Sequence, residues 1–237
     1  MIAREYGGHA SRHLGRDMEY LVFGHAGAPV LVFPTSSGRF FQWEDFSMVA
    51  TLHRHLANGW IQLFCVESVD AESWYGFHLP QWEQIDRHLD YEAYLVEEFL
   101  PFLRQKNPID FLIVTGTSFG AFHALNFSLR HPDQVRRVIA LSGDFESKKY
   151  VDGYFDDEVY YNSPQDFLGG MKGAADIERL RNLDIILAAG KHDFCMGPTL
   201  EVSAILQRLG VPHRCDIWEE EGIHDWPLWK RQILVYI

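Results

Sequence analysis

Cysteine is scarce in this chain: three residues among 237, Cys65, Cys195 and Cys215, odd in number and without a C-x-x-C spacing. Their spacing implies no disulfide framework and fits a reducing compartment. Cys65 and Cys215 fall inside expected strands, where a small thiol is a core residue. Long apolar runs are missing too, and none approaches the ~20 residues that span a bilayer. Met1 to Arg16 carries scattered charges and no apolar stretch of the kind that marks a secretory signal. Positive charge is in deficit, with 21 Lys and Arg against 33 Asp and Glu, a net charge of −12. An acidic surface repels phosphate backbones and anionic lipid, so neither nucleic acid nor membrane is expected as a partner. There is no H-E-x-x-H, no G-x-G-x-x-G and no P-loop spacing, and His53 and His55 lie two apart on an expected helix, where they cannot face one ion. No metal and no cofactor are therefore expected. The chain reads as a soluble, cytoplasmic protein, with homo-oligomerisation left open.

What is present is an ordinary globular composition, 47% hydrophobic and 23% charged, on a length that suits one domain. Strands are expected over Met18–Phe23, Pro29–Phe33, Ile61–Val66, Phe111–Val114, Val135–Leu141, Asp184–Ala189 and Pro212–Trp218. Helices are expected over Asp45–Leu56, Tyr91–Leu103, Ala121–Arg130, Pro198–Leu209 and Asp225–Tyr236. Pro101 should kink the second of these or end it early. Strands alternating with helices at short spacing predict an α/β fold with a mostly parallel central sheet flanked by helices, residues 1–237 forming a single domain. One stretch breaks the alternation. Residues 143–182 are acidic and rich in Phe and Tyr, longer than a simple crossover needs, and are expected to form a small cap over the carboxyl edge of the sheet.

Gly116-Thr117-Ser118-Phe119-Gly120 follows an apolar strand and opens a helix, the setting in which G-x-S-x-G forms a nucleophile elbow. A serine hydroxyl needs a base to take its proton, and the base needs an acid to orient it. In this architecture the partners come in the order serine, acid, histidine, each at the carboxyl end of a later strand. Asp193 occupies that place after Asp184–Ala189, whereas Asp184 begins the strand and so lies at the opposite edge. Of twelve histidines only His224, after the last strand, has the required order and edge. His213 lies at the amino end of that strand, His123 and His131 belong to the elbow helix, His192 directly precedes the acid, and His9, His13 and His25 come too early. Asp225, adjacent to the base, is expected to cap the terminal helix. For the oxyanion, the backbone N–H of Phe119 is one expected donor, and the loop Pro34 to Gly38 supplies the other, from Ser36 or Thr35. Trp74, Tyr75 and Phe119 are candidates to line an acyl pocket, with Thr35 beside them.

On these residues the chain resembles the putative-esterase branch of the α/β-hydrolases, which includes esterase D-like enzymes and mycolyltransferases. Ser73-Trp74-Tyr75 is similar to the family's S-W-Y segment, Gly116 to Gly120 to its elbow, and His224-Asp225-Trp226-Pro227-Leu228-Trp229 to its H-x-W-x-x-W ending. The resemblance implies an α/β-hydrolase fold with Ser118, Asp193 and His224 as triad, acting on a small-molecule ester or thioester. Phe-Pro-Thr-Ser-Ser departs from the family's commoner Gly-containing form in the oxyanion loop. An acyltransferase using the same acyl-enzyme, or a non-catalytic binding protein on the same scaffold, are the alternatives.

Overall fold

The central strands are near-continuous apolar runs, so their side chains, pointing alternately to either side, give the sheet two apolar faces. In the computed structural model, which describes residues 2–219 and 223–237, these strands form one eight-stranded sheet. They are β1 (Arg4–Ser11), β2 (Arg16–Phe23), β3 (Ala28–Phe33), β4 (Ile61–Val66), β5 (Ile113–Thr117), β6 (Arg137–Leu141), β7 (Asp184–Gly190) and β8 (His213–Trp218). The order across the sheet is β1-β2-β4-β3-β5-β6-β7-β8, antiparallel where β2 meets β1 and β4 and parallel from β4 onward. This is the α/β-hydrolase fold, with helices on both faces.

Leu31, Phe33, Val114, Val138, Ala140, Ile185 and Leu187 point to one face and pack with the helix α6 (Phe119–Arg130) and with α10 (Met196–Leu209). Val30, Val32, Ile113, Ile139, Leu141 and Ile186 point to the other, where the terminal helix α11 (Trp226–Tyr236) and three short helices cover them. Those three are α1 (Gln42–Asp45), α2 (Met48–Thr51) and α3 (His53–Ala57).

The structure departs from the sequence reading in three places. An additional strand, β1, pairs with β2 over its whole length, from Arg4 opposite Phe23 to Ser11 opposite Arg16. It is largely exposed and holds Gly7 and Gly8, so it has no apolar alternation to read. The single helix expected over Asp45–Leu56 is broken where Ser47 takes a left-handed conformation (φ 62°), although Val49, Leu52 and Leu56 are buried as that helix required. The helix expected from Tyr91 begins earlier, as α4 (Gln81–Tyr94), and passes Pro101 through a π-helical turn, Leu95–Phe99, into α5 (Leu100–Lys106). The wider turn precedes a residue that has no N–H to give, so the helix continues in place of ending.

Between β6 and β7 the chain makes a 3₁₀ turn at Lys148–Val151 and the short helices α7 (Asp157–Tyr161), α8 (Pro164–Gly170) and α9 (Ala174–Leu180). Phe145 and Leu168 from this segment are fully buried in the main core. The strand order reverses between β3 and β5, so the loops leaving their carboxyl ends diverge and open a crevice, the place where open α/β sheets hold ligands.

Candidate active site

Ser118 occupies the single residue between β5 and α6, with φ 57° and ψ −123°. A non-glycine residue in so sparsely populated a region costs about 1–3 kcal/mol and persists only where its surroundings enforce it. The enforcement is visible. Its N–H donates to the Leu141 carbonyl at 2.9 Å, and the flanking glycines let strand, helix and the β3 loop close around it. A Cβ on Gly116 would overlap the Gly120 carbonyl, and a Cβ on Gly120 would overlap the carbonyls of Phe33 and Pro34. The turn therefore aims the half-exposed hydroxyl into the crevice at the switch point.

Three side chains far apart in sequence meet there. His224 Nε2 lies 2.9 Å from Ser118 Oγ, and His224 Nδ1 lies 2.9 Å from Asp193 Oδ1. Asp193 is brought by the turn after β7 and His224 by the segment between β8 and α11. Glu220, Glu221 and Gly222, part of the loop expected to return His224 over the sheet, lie outside the described residues. The Asp193 carboxylate is completely buried, and its Oδ1 also accepts from the Cys195 N–H at 2.8 Å. Burial pushes its pKa up. Hydrogen bonds from His224 and the Cys195 amide, with the Ser142 hydroxyl close by, more than offset this, and the net effect is a pKa below the usual aspartate value. Among the described residues Oδ2 has no partner in good hydrogen-bond geometry, so Ser142 acts as a nearby dipole and not through a formed bond. The carboxylate thus stays charged at neutral pH, acceptor-only, and fixes the proton of His224 on Nδ1, leaving Nε2 to accept.

The imidazole is held by packing as well. The Phe194 ring lies 4.1 Å from it, centroid to centroid, and the Trp229 ring meets it edge-on at 5.0 Å. Trp229 Nε1–H donates to Ser142 Oγ at 2.9 Å, which ties α11 to the end of β6. Asp225 caps α11, its carboxylate accepting from the Trp226 N–H at 2.7 Å.

Phe119 opens α6; the Ala121 and Phe122 amides donate to the Ser118 carbonyl, while the Phe119 N–H has no acceptor among the described residues. Across the crevice, the Thr35 N–H is taken by Gln42 Oε1 at 2.8 Å, and Gln42 Nε2–H donates to Thr35 Oγ1 at 2.7 Å. The Ser37 N–H is taken by Asp70 Oδ2 at 3.0 Å. Between these two occupied amides, the Ser36 N–H has no acceptor among the described residues, while Ser36 Oγ meets the Tyr75 hydroxyl at 2.9 Å. Tyr75 packs its ring edge-on to Phe119 at 4.9 Å and beside Tyr150 at 5.4 Å.

Trp74, expected beside the acyl chain, is elsewhere. It is fully buried against Phe122 and His88, behind Phe119, and has no surface to offer a ligand. Thr35, with both polar groups bound by Gln42, is likewise engaged in holding the loop. Tyr150 comes from the aromatic stretch expected to form the cap, whereas Gln42, Asp70 and Phe194 are near-site residues that the sequence reading gave no role. Each comes from a segment with no motif of its own, and only chain folding brings it close.

The comparisons bear on the whole assembly. The family model described as "Putative esterase" matches residues 66–236, well over half of the chain. Among solved structures, a ferulic acid esterase superposes with a TM-score of 0.79 at 18% identity, covering 98% of this chain and 95% of its own. The S-formylglutathione hydrolase of Staphylococcus aureus does so at 0.71 and 15%, with 98% and 94% covered. A ferulic acid esterase from Anaeromyces mucronatus in complex with ferulic acid reaches 0.74 at 13%, with 100% and 89% covered. No curated protein matches the chain. At these identities the solved structures establish the shared fold, and the family match establishes the lineage: the chain belongs to the esterase family of α/β-hydrolases, whose members act on ester bonds.

Proposed function

We propose that the protein is a serine carboxylesterase that hydrolyses a small-molecule ester or thioester through an acyl-enzyme on Ser118. The observation that carries this reading is the continuous hydrogen-bonded chain from Ser118 Oγ through both nitrogens of His224 to the buried Asp193 carboxylate. Ser118 Oγ attacks the carbonyl carbon and its proton passes to His224 Nε2. The resulting imidazolium is stabilised by Asp193, and the carbonyl oxygen, now an oxyanion, receives the amides of Phe119 and Ser36. Collapse re-forms the carbonyl and breaks the bond to the alcohol or thiol, which leaves with the proton from His224. Water then attacks the acyl-enzyme, His224 takes its proton and returns it to Ser118 Oγ, and the carboxylic acid departs.

Ser36 is favoured over Thr35 as second donor because the neighbouring amides are already bound and its own is not. Tyr75 and Tyr150, partly buried and backed by the buried Phe119 ring, form an aromatic wall, which suits an apolar or aryl acyl group; residues 143–182, which supply Tyr150, act as the cap on that side. The solved structures of similar fold include a ferulic acid esterase and an S-formylglutathione hydrolase, and ester and thioester cleavage both fit the same steps. All three cysteines are free, which fits a cytoplasmic setting.

A fluorophosphonate probe is expected to label the wild-type protein on Ser118. Ser118→Ala should lose both the label and at least ~10⁴-fold in kcat on short p-nitrophenyl esters and thioesters, as removal of a triad member does. An alanine variant with wild-type turnover rejects the mechanism. A series of acyl chains of graded length reads the depth of the aromatic wall.

A further inference from the structure

Asp70 is a buried acid that the proposed chemistry does not use. It is 1% exposed and lies on the loop after β4, inside the 3₁₀ turn Asp70–Glu72. Its two carboxylate oxygens reach different elements. Oδ2 accepts from the N–H of Ser37, in the loop after β3, at 3.0 Å. Oδ1 accepts from Nε2–H of His123 at 2.7 Å. His123 is itself buried and stands one turn along α6 from Phe119, its ring edge-on to the Phe119 ring at 4.9 Å. The main chain of the same residue adds a third tie, since the Asp70 carbonyl accepts from the Tyr75 N–H at 2.8 Å, and the Tyr75 hydroxyl reaches Ser36 Oγ at 2.9 Å.

These contacts converge on the two amides assigned to the oxyanion. The donors come from opposite sides of the crevice, Ser36 from the β3 loop and Phe119 from the elbow helix; the pairing of β3 with β5 ends at Phe33 opposite Gly116, and beyond it no direct hydrogen bond joins residues 35–37 to α6 among the described residues. Asp70 is bonded to the residue after one and, through His123, to the helix that carries the other. We propose that Asp70 and His123 are positioning residues that set the distance between the two oxyanion donors. The inference rests on the acyl-enzyme reading above. An oxyanion hole stabilises charge only when both donors are aimed at one point before the reaction starts, because donors that must move lose their advantage in reorganisation. A rigid carboxylate bonded to both segments, away from solvent, is suited to that task, since buried charge-assisted hydrogen bonds are short and directional.

The test separates positioning from bulk stability. Asp70→Ala removes both arms, Asp70→Asn keeps the shape and an acceptor for Ser37, and His123→Ala cuts the elbow-helix arm alone. Each variant is first checked for folding by circular dichroism and thermal melting. On a short p-nitrophenyl ester, Asp70→Ala is expected to lose roughly 10- to 100-fold in kcat with KM within about twofold, less than the ~10²–10³ for deleting a donor outright. His123→Ala should lose less, and Asp70→Asn should recover most of the rate. The distinguishing readout is an aryl trifluoromethyl ketone, whose carbon accepts Ser118 Oγ, whose oxygen becomes an oxyanion, and whose formation sends the serine proton to His224. Its affinity should fall by the same factor as kcat/KM, whereas affinity for the product carboxylic acid should hold. The inference is overturned if folded Asp70→Ala turns over like wild type, or if its loss of rate is not matched in the ketone affinity. Should Asp70→Ala not be recovered folded, His123→Ala is judged by the same two criteria. Fluorophosphonate labelling of wild type, absent in Ser118→Ala, is run alongside. Failure of that control rejects the acyl-enzyme itself, while a normal control with unaltered Asp70 and His123 variants rejects only the positioning role.

Discussion

Asp193 acts from complete burial, and its effect on His224 is one of tautomer and charge. An amide in its place would present an N–H to Nδ1 and stabilise the wrong tautomer. Asp193→Asn is therefore expected to lower kcat by about 10⁴ with KM changed only a few-fold, read in steady-state ester hydrolysis. The aromatic rings around the imidazole contribute less. Trp229→Phe keeps an aromatic ring on the His224 side but removes the N–H bound to Ser142 together with part of the buried indole. Loss of one neutral hydrogen bond, worth about 1 kcal/mol, predicts a small drop in melting temperature and a several-fold drop in kcat. At this scale the sequence was informative about the three side chains proposed to react, because order along an α/β-hydrolase chain and the strand edge select them. It was silent on Gln42 and Asp70, whose roles depend on which loops become neighbours.

The elbow is the element on which geometry depends most. Gly120→Ala would set a methyl group against the carbonyls of Phe33 and Pro34, main-chain atoms that cannot swing aside. We expect a loss of about 2–3 kcal/mol of stability, read from denaturant midpoints, with a disproportionate fall in activity because the β3 loop carries Ser36. The elbow was legible because its glycines, strand and helix are contiguous. Other elements were not. β1 carries no apolar alternation, as its pairing with β2 and not side-chain burial keeps it in place. The interruption at Ser47 is set by packing of Trp43, Met48 and Leu52 under the sheet, and periodicity alone reads straight through it. Pro101 suggested a helix end, yet a π turn accommodates it, since burial of Phe99, Leu100 and Leu103 favours continuing the helix.

Across the molecule, buried titratable groups away from the active site govern its response to acid. Burial, then the neighbouring His123, pushes His88 down to about 3. In the unfolded chain it would take a proton near 6.5, so between those values the unfolded state binds more protons and stability falls as pH falls. Glu92 works in the same direction at lower pH. Burial alone would raise it, but hydrogen bonds from His131 and Arg130 bring it to about 2, so its contribution is present above about 4.5 and is lost on the way to 2. Urea midpoints measured from pH 7 to 4 should decline, with His88 accounting for on the order of 3 kcal/mol by pH 4. His88→Gln, which keeps a donor for Asn162, should flatten the upper part of that curve and leave the decline below 4.5 in place. An unchanged slope in that variant rejects the assignment.

By itself the sequence determined the layered α/β architecture and the elbow, and singled out Ser118, Asp193 and His224 as the proposed triad, because apolar strand runs and contiguous motifs are local and chain order restricts the rest. Only the tertiary structure decided that Trp74 supports the core, that the Ser36 amide alone is left unbound between Thr35 and Ser37, and that Asp70 joins the β3 loop to the elbow helix. Those outcomes depend on which hydrogen-bond donor meets which acceptor across loops dozens of residues apart, and no local pattern encodes such a meeting.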